Sequence, residues 1–445
     1  MSGYIPHTEV ERQQMLAAIG VTTIEDLFDT VPASHRFPAL NLPKPMSELE
    51  ITQEMNNLAE ANEHGGDYAL FRGAGAYHHF VPSVVNHMLL RGEFYTAYTP
   101  YQPEVSQGTL QAVYEYQSMM CALTGMDAAN ASHYDGATSL AESVTMALQI
   151  VPDGRNKIVL SGGIHPQYRE VVRTYHQGRA LEFVGDEAVR DAQGLMALVD
   201  NKTAMVAIQY PNFFGQIEDL RGIADKVHAA GALLVIVANP TALGMLKSPG
   251  EWGADIVVGE GQALGVPLSF GGPYVGFFAT KQKYVRKIAG RIVGETVDGD
   301  GKRAFVMTLR PREQDIRREK ASSNICTNQG LMALAACIYM SLMGRYGLRR
   351  VAELCYHKAH YAAKRINELA GYKVDMSQAF FHEFVVECPK PVSVVNEALI
   401  QEGIVGGYDL SKDFPHMANK MLVCVTEMNS KDEIDALVSV LETVK

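Results

Sequence analysis

Short apolar runs alternate with amphipathic segments along the middle of the chain. The apolar runs at 157–161, 204–210, 232–238, 255–258 and 274–279 predict strands, and the segments 109–123, 137–150 and 217–231 predict helices. Strands that are apolar on both faces and separated by helices are typical of a mainly parallel sheet that is covered on both sides. We therefore predict a large α/β domain over residues 61–320.

The two flanks have different patterns. Thr8 with Glu11, and Ser47 with Glu50, fit capping boxes that begin helices, and the stretch VPASHRFPALNLPKP between them is too rich in proline for a regular element. This predicts a helical arm over 1–60. After residue 320, two long helices (328–343 and 347–369) precede a strand, a helix, a second strand and a last helix. We predict a smaller C-terminal α+β domain over 321–445.

Composition narrows the class of protein. Hydrophobic residues make up 47% of the 445 residues and charged residues 20%, which excludes a disordered chain. The balance of 39 basic against 50 acidic residues argues against a nucleic-acid partner, because such binding begins with a basic face. No apolar run approaches about 18 residues, the six cysteines lack zinc-like spacing, and the N-terminus resembles no signal peptide. We expect a bacterial cytoplasmic protein with no metal site and no membrane partner.

A large α/β domain followed by a small α+β domain is shared by many pyridoxal-phosphate enzymes of the aspartate aminotransferase fold. Such an enzyme needs a lysine for the Schiff base, a carboxylate for the pyridine nitrogen and amide donors for the phosphate. Gly136, Thr138 and Ser139 open a predicted helix and could form the phosphate cradle. In the alternative interpretation these residues only make a turn and cap the helix.

The other two groups, the carboxylate and the lysine, are missing from the segments in which this fold is expected to carry them. The central strand ALLVIVANP carries no carboxylate, and no lysine occurs between Lys247 and Lys281, the window in which the Schiff-base lysine is expected. Two explanations stay open at this point. The chain either has a different fold, or it has this fold and has lost the cofactor chemistry.

Four long motifs favour the second explanation. YTAYTPYQPEVSQG (95–108), LTGMDAANAS (123–132), GVPLSFGGPYVGFFA (265–279) and KASSNICTNQ (320–329) closely resemble glycine dehydrogenase (decarboxylating), the P-protein of the glycine cleavage system. The resemblance covers nearly the whole chain and is closest to the N-terminal half of that protein, hence to subunit 1 (alpha) of its two-subunit form. It implies the pyridoxal-phosphate-dependent transferase type I fold (aspartate aminotransferase-like).

The resemblance also implies a division of labour. Pyridoxal phosphate is expected on a homologous beta subunit only, in an α2β2 assembly that decarboxylates glycine and passes the aminomethyl group to the lipoyl arm of the H-protein. In the beta subunit an aspartate ends the central strand, and a His-Lys pair follows the next strand. Laid on that pattern, Ile236 stands at the aspartate position, Gln262 at the histidine position and Ala263 at the lysine position.

A loop rich in tyrosine is the main candidate for a catalytic contribution from this chain. Tyr95, Tyr98, Tyr101 and Glu104 lie between prolines and glycines, which predict a shaped loop rather than a helix. We expect this loop to reach across a subunit interface, where the tyrosine hydroxyls would donate to the carboxylate of glycine and Glu104 would orient them. The alternative is an interface loop whose rings only pack.

Three other groups of residues have a less specific pattern. His78 and His79 follow a glycine-rich turn, His165 follows a strand where this fold often places a ring beside the coenzyme, and 310–320 is a run of mixed charge that usually marks a solvated face. Two rival functions also stay open. One is a self-sufficient homodimeric pyridoxal-phosphate enzyme that uses Lys247, and the other is an idle scaffold for the beta chain.

Overall fold

The computed structural model describes residues 6–96, 98–326 and 328–444, which form two compact units, Met1–His64 and Gly65–Lys445. The first unit contains helices α1 (Glu9–Ile19) and α2 (Glu48–Glu60). Both predicted capping boxes are confirmed. The hydroxyls of Thr8 and Ser47 each accept from the backbone amide three residues on, and the backbone N of each donates to the glutamate carboxylate at that position.

The second unit holds all the remaining helices and strands of the described chain. Its helices are α3 (Ser83–Leu89), α4 (Gln107–Thr124), α5 (Gly136–Ile150), α6 (Pro166–His176), α7 (Ala192–Leu195), α8 (Ile223–Ala229), α9 (Gln314–Arg317), α10 (Gly330–Asn367), α11 (Val392–Gln401) and α12 (Lys431–Thr443). Its strands are β1 (Ala69–Leu70), β2 (Ala128–Ala129), β3 (Lys157–Leu160), β4 (Glu182–Val184), β5 (Thr203–Tyr210), β6 (Leu233–Ala238), β7 (Ile256–Glu260), β8 (Gly276–Thr280), β9 (Ile292–Val297), β10 (Arg303–Thr308), β11 (Lys373–Val374), β12 (Glu383–Glu387), β13 (Ile404–Val405), β14 (Tyr408–Asp409) and β15 (Lys420–Cys424).

Seven strands form the large sheet, in the order β2-β8-β7-β6-β5-β3-β4. The strands from β7 to β4 in this order pair parallel with their neighbours. At the other edge, β8 pairs antiparallel with β7, and β2 pairs antiparallel with β8. On β6, Leu234 and Ile236 pack into one buried cluster, and Val235 and Val237 into the cluster on the opposite face. The predicted mainly parallel sheet, covered on both faces, is confirmed.

The C-terminal part of the chain builds a smaller antiparallel sheet, in the order β11-β12-β15-β14. The short strands β1 and β13 pair parallel, and β9 and β10 form a separate antiparallel hairpin. The sequence analysis did not predict this hairpin, because β9 mixes apolar with polar residues and the apolar run of β10, at 304–307, is short. The predicted domain boundary near residue 320 stays a prediction.

Helix α10 contributes to the cores of both sheets. Ala336 and Met340, in its first half, belong to the cluster under the large sheet, and Ala359 and Ile366, in its second half, belong to the cluster of the small sheet. The backbone breaks at Gly344, where φ is 56° and ψ is −173°, so the two predicted helices meet end to end. By length and composition alone, α10 could cross a membrane, but its apolar side chains include those that join the two cores.

Helix α8 is shorter than the segment 217–231 that was predicted. It begins at Ile223, because Gly222 has a left-handed φ of 71° and interrupts the helix. Residues 217–222 before it are irregular instead, and the backbone N of Ile217 donates to the backbone O of Ala379 at 2.8 Å. The residues predicted as the first turn of this helix therefore connect the large α/β part, through this hydrogen bond, to the segment that leads into β12 of the small sheet.

Candidate functional site

A narrow hollow opens at the carboxyl ends of the parallel strands, the edge at which open α/β sheets bind ligands. We call it the strand-end hollow, and its volume of about 30 Å³ leaves room for one or two water molecules. Strands β5, β6 and β7 and the start of α6 provide most of its wall. It is lined by Gly75, Tyr77, His165, Tyr168, Gln209, Val237, Ala238, Asn239, Pro240 and Glu260.

The first turn of α5 faces a carboxylate at this edge of the sheet. Glu260, the last residue of β7, accepts a hydrogen bond at Oε2 from the backbone N of Gly136 at 3.0 Å. Its Oε1 accepts from the backbone N of Gln262 at 3.0 Å and of Val275 at 3.1 Å. Burial raises the pKa of Glu260 to about 8, although these three amides act in the opposite direction. The amide predicted to hold a phosphate is therefore already bonded within the chain.

The other members of the predicted cradle are bonded locally as well. Asp135 accepts from the backbone N of Thr138 at 2.7 Å, and the hydroxyls of Thr138 and Ser139 donate to the backbone O of Asp135 at 3.0 and 2.8 Å. A Cβ atom on Gly136 would lie 2.5 Å from the Tyr168 hydroxyl oxygen and 2.8 Å from the backbone N of Glu260. The space in front of α5 is thus occupied by side chains and backbone of the protein itself.

Apolar or amide side chains occupy the positions at which the beta subunit would carry the residues that contact the cofactor. Ile236 is fully buried and packs on the face of β6 opposite Val237, which lines the strand-end hollow. Ala263 is buried, and none of the described residues that line the hollow is a lysine. Lys247, on which the homodimeric alternative depends, is exposed, with its Nζ 4.1 Å from the ring centroid of Trp252.

Gln262 holds the chain segment 72–80, which closes the strand-end hollow from the other side. Its Oε1 accepts from the backbone N of Tyr77 and its Nε2 donates to the backbone O of the same residue, both at 2.9 Å. Glu383 accepts from the backbone N of Ala74 at 2.7 Å and from the Tyr77 hydroxyl at 2.9 Å. Burial raises the pKa of Glu383 to about 7. The segment is fixed by side chains that lie far from it in sequence.

His165 lies between this segment and α6. Its ring stacks on Tyr168, with centroids 4.9 Å apart, and its Nε2 lies 2.9 Å from the backbone O of Ala74. His165 follows strand β3, and it lines the strand-end hollow with its ring packed on that of Tyr168.

His79 lies in a buried polar cluster next to the small sheet. Its Nδ1 is 2.7 Å from Oε2 of Glu427, and the Sγ of Cys355 donates to the same oxygen at 3.3 Å. Burial opposes ionisation, but the bond to His79 lowers the pKa of Glu427 to about 2. One ligand-type atom of each residue lies within 4.8 Å of the others, a proximity that these hydrogen bonds explain. The absence of a metal stays an expectation.

The tyrosine loop is largely exposed over its described residues, and Ala97 lies outside them. The exposed fractions of Tyr95, Tyr98 and Tyr101 are 62%, 88% and 37%, and Glu104 is also exposed. Among the described residues no hydrogen bond joins Glu104 to any of these tyrosines. Large exposed rings on one loop are typical of a protein–protein contact.

Tyr101 is fixed by arginines that the sequence analysis did not single out as site residues. The Nη2 of Arg291 donates to the Tyr101 hydroxyl, and the guanidinium carbons of Arg291 and Arg310 lie 5.2 and 5.0 Å from the Tyr101 ring centroid. In the charged run 310–320, Arg312 donates to the backbone O of Gly290 at 2.6 Å. Part of that run is therefore structural and does not only form a solvated face.

Known structures define the fold class. A sphingosine-1-phosphate lyase from Burkholderia pseudomallei aligns with a TM-score of 0.65 at 13% identity, covering 93% of this chain and 94% of that one. A glycine decarboxylase (P-protein) of the glycine cleavage system, crystallised in an inhibitor-bound form, aligns with a TM-score of 0.89 at 42% identity over 100% of both chains. The fold is the pyridoxal-phosphate-dependent transferase type I fold, as predicted.

Sequence comparison identifies the family. The profile of the glycine cleavage system P-protein family matches residues 2–441. Proteins named probable glycine dehydrogenase (decarboxylating) subunit 1 are 53% identical in Thermomicrobium roseum (98% of each chain) and 51% identical in Desulforamulus reducens (99% of each chain). The chain belongs to the glycine cleavage system P-protein family, and the resemblance to subunit 1 is confirmed.

Proposed function

We propose that this chain is the cofactor-free subunit of a glycine-decarboxylating enzyme. Pyridoxal phosphate and its Schiff-base lysine belong to a homologous beta subunit, and this chain supplies the partner surface beside that site. The assembled enzyme, α2β2 and cytoplasmic, releases carbon dioxide from glycine and passes the aminomethyl group to the lipoyl arm of the H-protein. The relatives named as subunit 1 support a second subunit, since their name implies one.

The contact between Glu260 and Gly136 carries the proposal. A cofactor phosphate would need the amides at the start of α5, but the side-chain carboxyl group of Glu260 already accepts from Gly136 N at 3.0 Å. A phosphate brought to this place would meet the oxygens of Glu260 and Asp135 instead of free amide donors. The residues at the strand-end hollow therefore do not fit pyridoxal phosphate, in agreement with the lysine-free window between Lys247 and Lys281.

The contribution to the reaction would come from the tyrosine loop. Tyr95 and Tyr98 expose their hydroxyls on the surface, free to meet a partner, whereas Tyr101 is held by Arg291. A hydroxyl that reaches the partner's site would donate to the substrate carboxylate and help to orient it for bond cleavage. Glu104, in the same loop, would orient these hydroxyls through its negative charge once the loop contacts the partner subunit.

Borohydride reduction in the presence of pyridoxal phosphate tests the cofactor assignment. The purified chain and the co-expressed pair of subunits are reduced, digested and analysed by mass spectrometry. We expect a pyridoxyl-lysine in the partner subunit and none in this chain. A label on Lys247, or on any other lysine of this chain at one per chain, would contradict the proposal and favour the homodimeric enzyme.

A further inference from the structure

An exposed phenylalanine lies at the tip of the loop between β7 and β8. This loop, residues 267–274, leaves the large sheet at the carboxyl end of β7, the edge that also carries the strand-end hollow. Phe270 is 89% exposed, the largest exposed fraction of any large hydrophobic side chain in the described chain. A phenylalanine ring left in water forfeits the free energy that its burial would release.

The backbone of the same residue is also unfavourable for a phenylalanine. Ser269 and Phe270 have left-handed φ angles of 46° and 53°, a region that side chains with a Cβ rarely adopt. Gly271 and Gly272 follow in the same sequence, and a glycine at position 270 would take this conformation without strain. The isolated chain therefore gains nothing from this ring, and strain of this kind concentrates at functional positions.

Hydrogen bonds fix the loop in place from both sides. The hydroxyl of Tyr274 donates to the backbone O of Leu268 at 2.8 Å, and the backbone N of Gly271 donates to the same oxygen at 3.1 Å. Ahead of the loop, Nε2 of Gln262 donates to the backbone O of Val266 at 2.7 Å. A side chain presented by such a fixed loop loses little conformational entropy when a partner binds it.

The loop and its surroundings carry no charge. No aspartate, glutamate, lysine or arginine occurs between Glu260 and Lys281. Depletion of charged residues around an aromatic side chain is typical of the buried centre of a protein–protein interface. The backbone N of Val275, directly after the loop, donates to Oε1 of Glu260 at 3.1 Å, so the loop lies next to the residue that closes the first turn of α5.

We propose that Phe270 anchors the homologous partner subunit, with its ring inserted into an apolar pocket of that subunit. This inference rests on the proposed function, since it requires a second subunit, and it identifies one residue of the partner surface. A carrier protein that binds and leaves repeatedly fits less well, because transient contacts use charge to guide association. Permanent interfaces are more hydrophobic, as this loop is.

Subunit exchange measures the contribution of Phe270. The assembled complex, with one fluorescent label on each type of subunit, is mixed with an excess of unlabelled chain, and the loss of energy transfer gives the dissociation rate. Phe270→Ala should raise this rate at least tenfold, because the buried ring is lost, and Phe270→Leu should raise it less. Tyr346→Ala removes an aromatic ring that is 87% exposed on α10 and should leave the rate unchanged. A wild-type rate in Phe270→Ala would overturn the inference.

Phe270→Gly separates association from folding. It relieves the left-handed strain, so the midpoint temperature of unfolding of the chain alone should not fall, while the complex should dissociate at least tenfold faster. A lower midpoint would show that the ring stabilises its own chain and would contradict the inference. A wild-type chain that forms a homodimer by itself, and a monomer with Phe270→Gly, would assign the ring to a second copy of this chain and overturn the choice of partner.

The position of the pyridoxyl-lysine label keeps this test separate from that of the proposed function. Unchanged exchange rates with the label on the partner subunit would overturn the role of Phe270 alone. A label on this chain would overturn the proposed function, whatever the exchange rates.

Discussion

Glu260 and Gly136 form a hydrogen bond of 3.0 Å between a side-chain carboxylate oxygen and a backbone amide at the first turn of α5. The two residues are 124 positions apart, and one ends a strand while the other begins a helix. In this fold, the protein uses its own acidic group to satisfy an amide that would otherwise be open to an outside anion. The proposal that the cofactor belongs to the partner subunit depends on this contact.

Gly136→Ala should destabilise the protein. The added methyl group would lie 2.5 Å from the Tyr168 hydroxyl oxygen and 2.8 Å from the backbone N of Glu260, so α5 or β7 must move. We expect the free energy of unfolding to fall by about 1–3 kcal/mol, as for other overpacked sites. Gly108→Ala is the matched control, since it also lies near the start of a helix but has open space around it, and it should be neutral or stabilising. Urea unfolding of both variants checks this, and equal stabilities would contradict the geometry.

His382 predicts a loss of stability in mild acid. It is 2% exposed, and neither ring nitrogen has a hydrogen-bond partner among the described residues. Burial, with a contribution from the charge of His79, lowers the pKa of His382 to about 3, although Glu427 acts in the opposite direction. Between pH 6.5 and 3 the unfolded chain therefore binds a proton that the folded chain does not, and stability falls as the pH falls.

The corresponding experiment compares unfolding at pH 7 and pH 5. Wild-type protein should lose roughly 2 kcal/mol of stability through His382 over this interval. His382→Phe removes the titrating ring, so its loss between the two pH values should be smaller by about that amount. The exposed His416 supplies a control, and His416→Gln should show the wild-type difference. If His382→Phe showed the wild-type difference too, the ring would have to be protonated or solvated in the folded protein.

Tyr98→Phe tests the role of the tyrosine loop in the assembled enzyme. The exposed hydroxyl is removed and the ring is kept, so subunit association should persist while the rate of carbon dioxide release from glycine falls about tenfold, the effect of one lost hydrogen bond in the transition state. Tyr346→Phe changes an equally exposed tyrosine outside the loop and should leave the rate unchanged. Wild-type kinetics for Tyr95→Phe, Tyr98→Phe and Tyr101→Phe alike would leave the loop with a packing role only.

Gln262→Ala should loosen the segment 72–80. Its side chain satisfies both the backbone N and the backbone O of Tyr77, and without it these two groups lose their partner. A loss of about 1–3 kcal/mol in the free energy of unfolding is expected, together with faster hydrogen exchange at the Tyr77 amide. Gln111→Ala, on the exposed face of α4, should change the stability little. Protection of the Tyr77 amide that equals the wild-type value would argue against the contact.

The sequence predicted the large sheet well because its strands are apolar on both faces. Runs such as 204–210 and 232–238 predicted β5 and β6 directly, whereas the helix between them, predicted from residue 217, begins only at Ile223. The motifs at 95–108 and 320–329 identified the family before any contact was known. The absence of a lysine between Lys247 and Lys281 could also be read from the sequence directly, since it depends on residue types and not on geometry.

The contacts that shape the site were beyond the sequence. Glu260 ends an apolar strand and has no motif around it, so its bond to Gly136 could only be found once β7 and α5 were placed side by side. Arg291 is one of many arginines, and its burial depends on the loop that carries Tyr101. The hydrogen bonds between the Gln262 side chain and the Tyr77 backbone join residues 185 positions apart. From the sequence, Gln262 was interpreted only as standing where the beta subunit has a histidine.

Helix α10 has a consequence for how the chain folds and how it can be divided. A chain that ended near residue 320 would leave the large sheet without Ala336 and Met340, which cover one of its faces. The small sheet in turn needs Ala359 and Ile366 from the other half of the same helix. Neither sheet can complete its core before α10 is made, so productive folding during synthesis must wait until the ribosome has released most of the polypeptide.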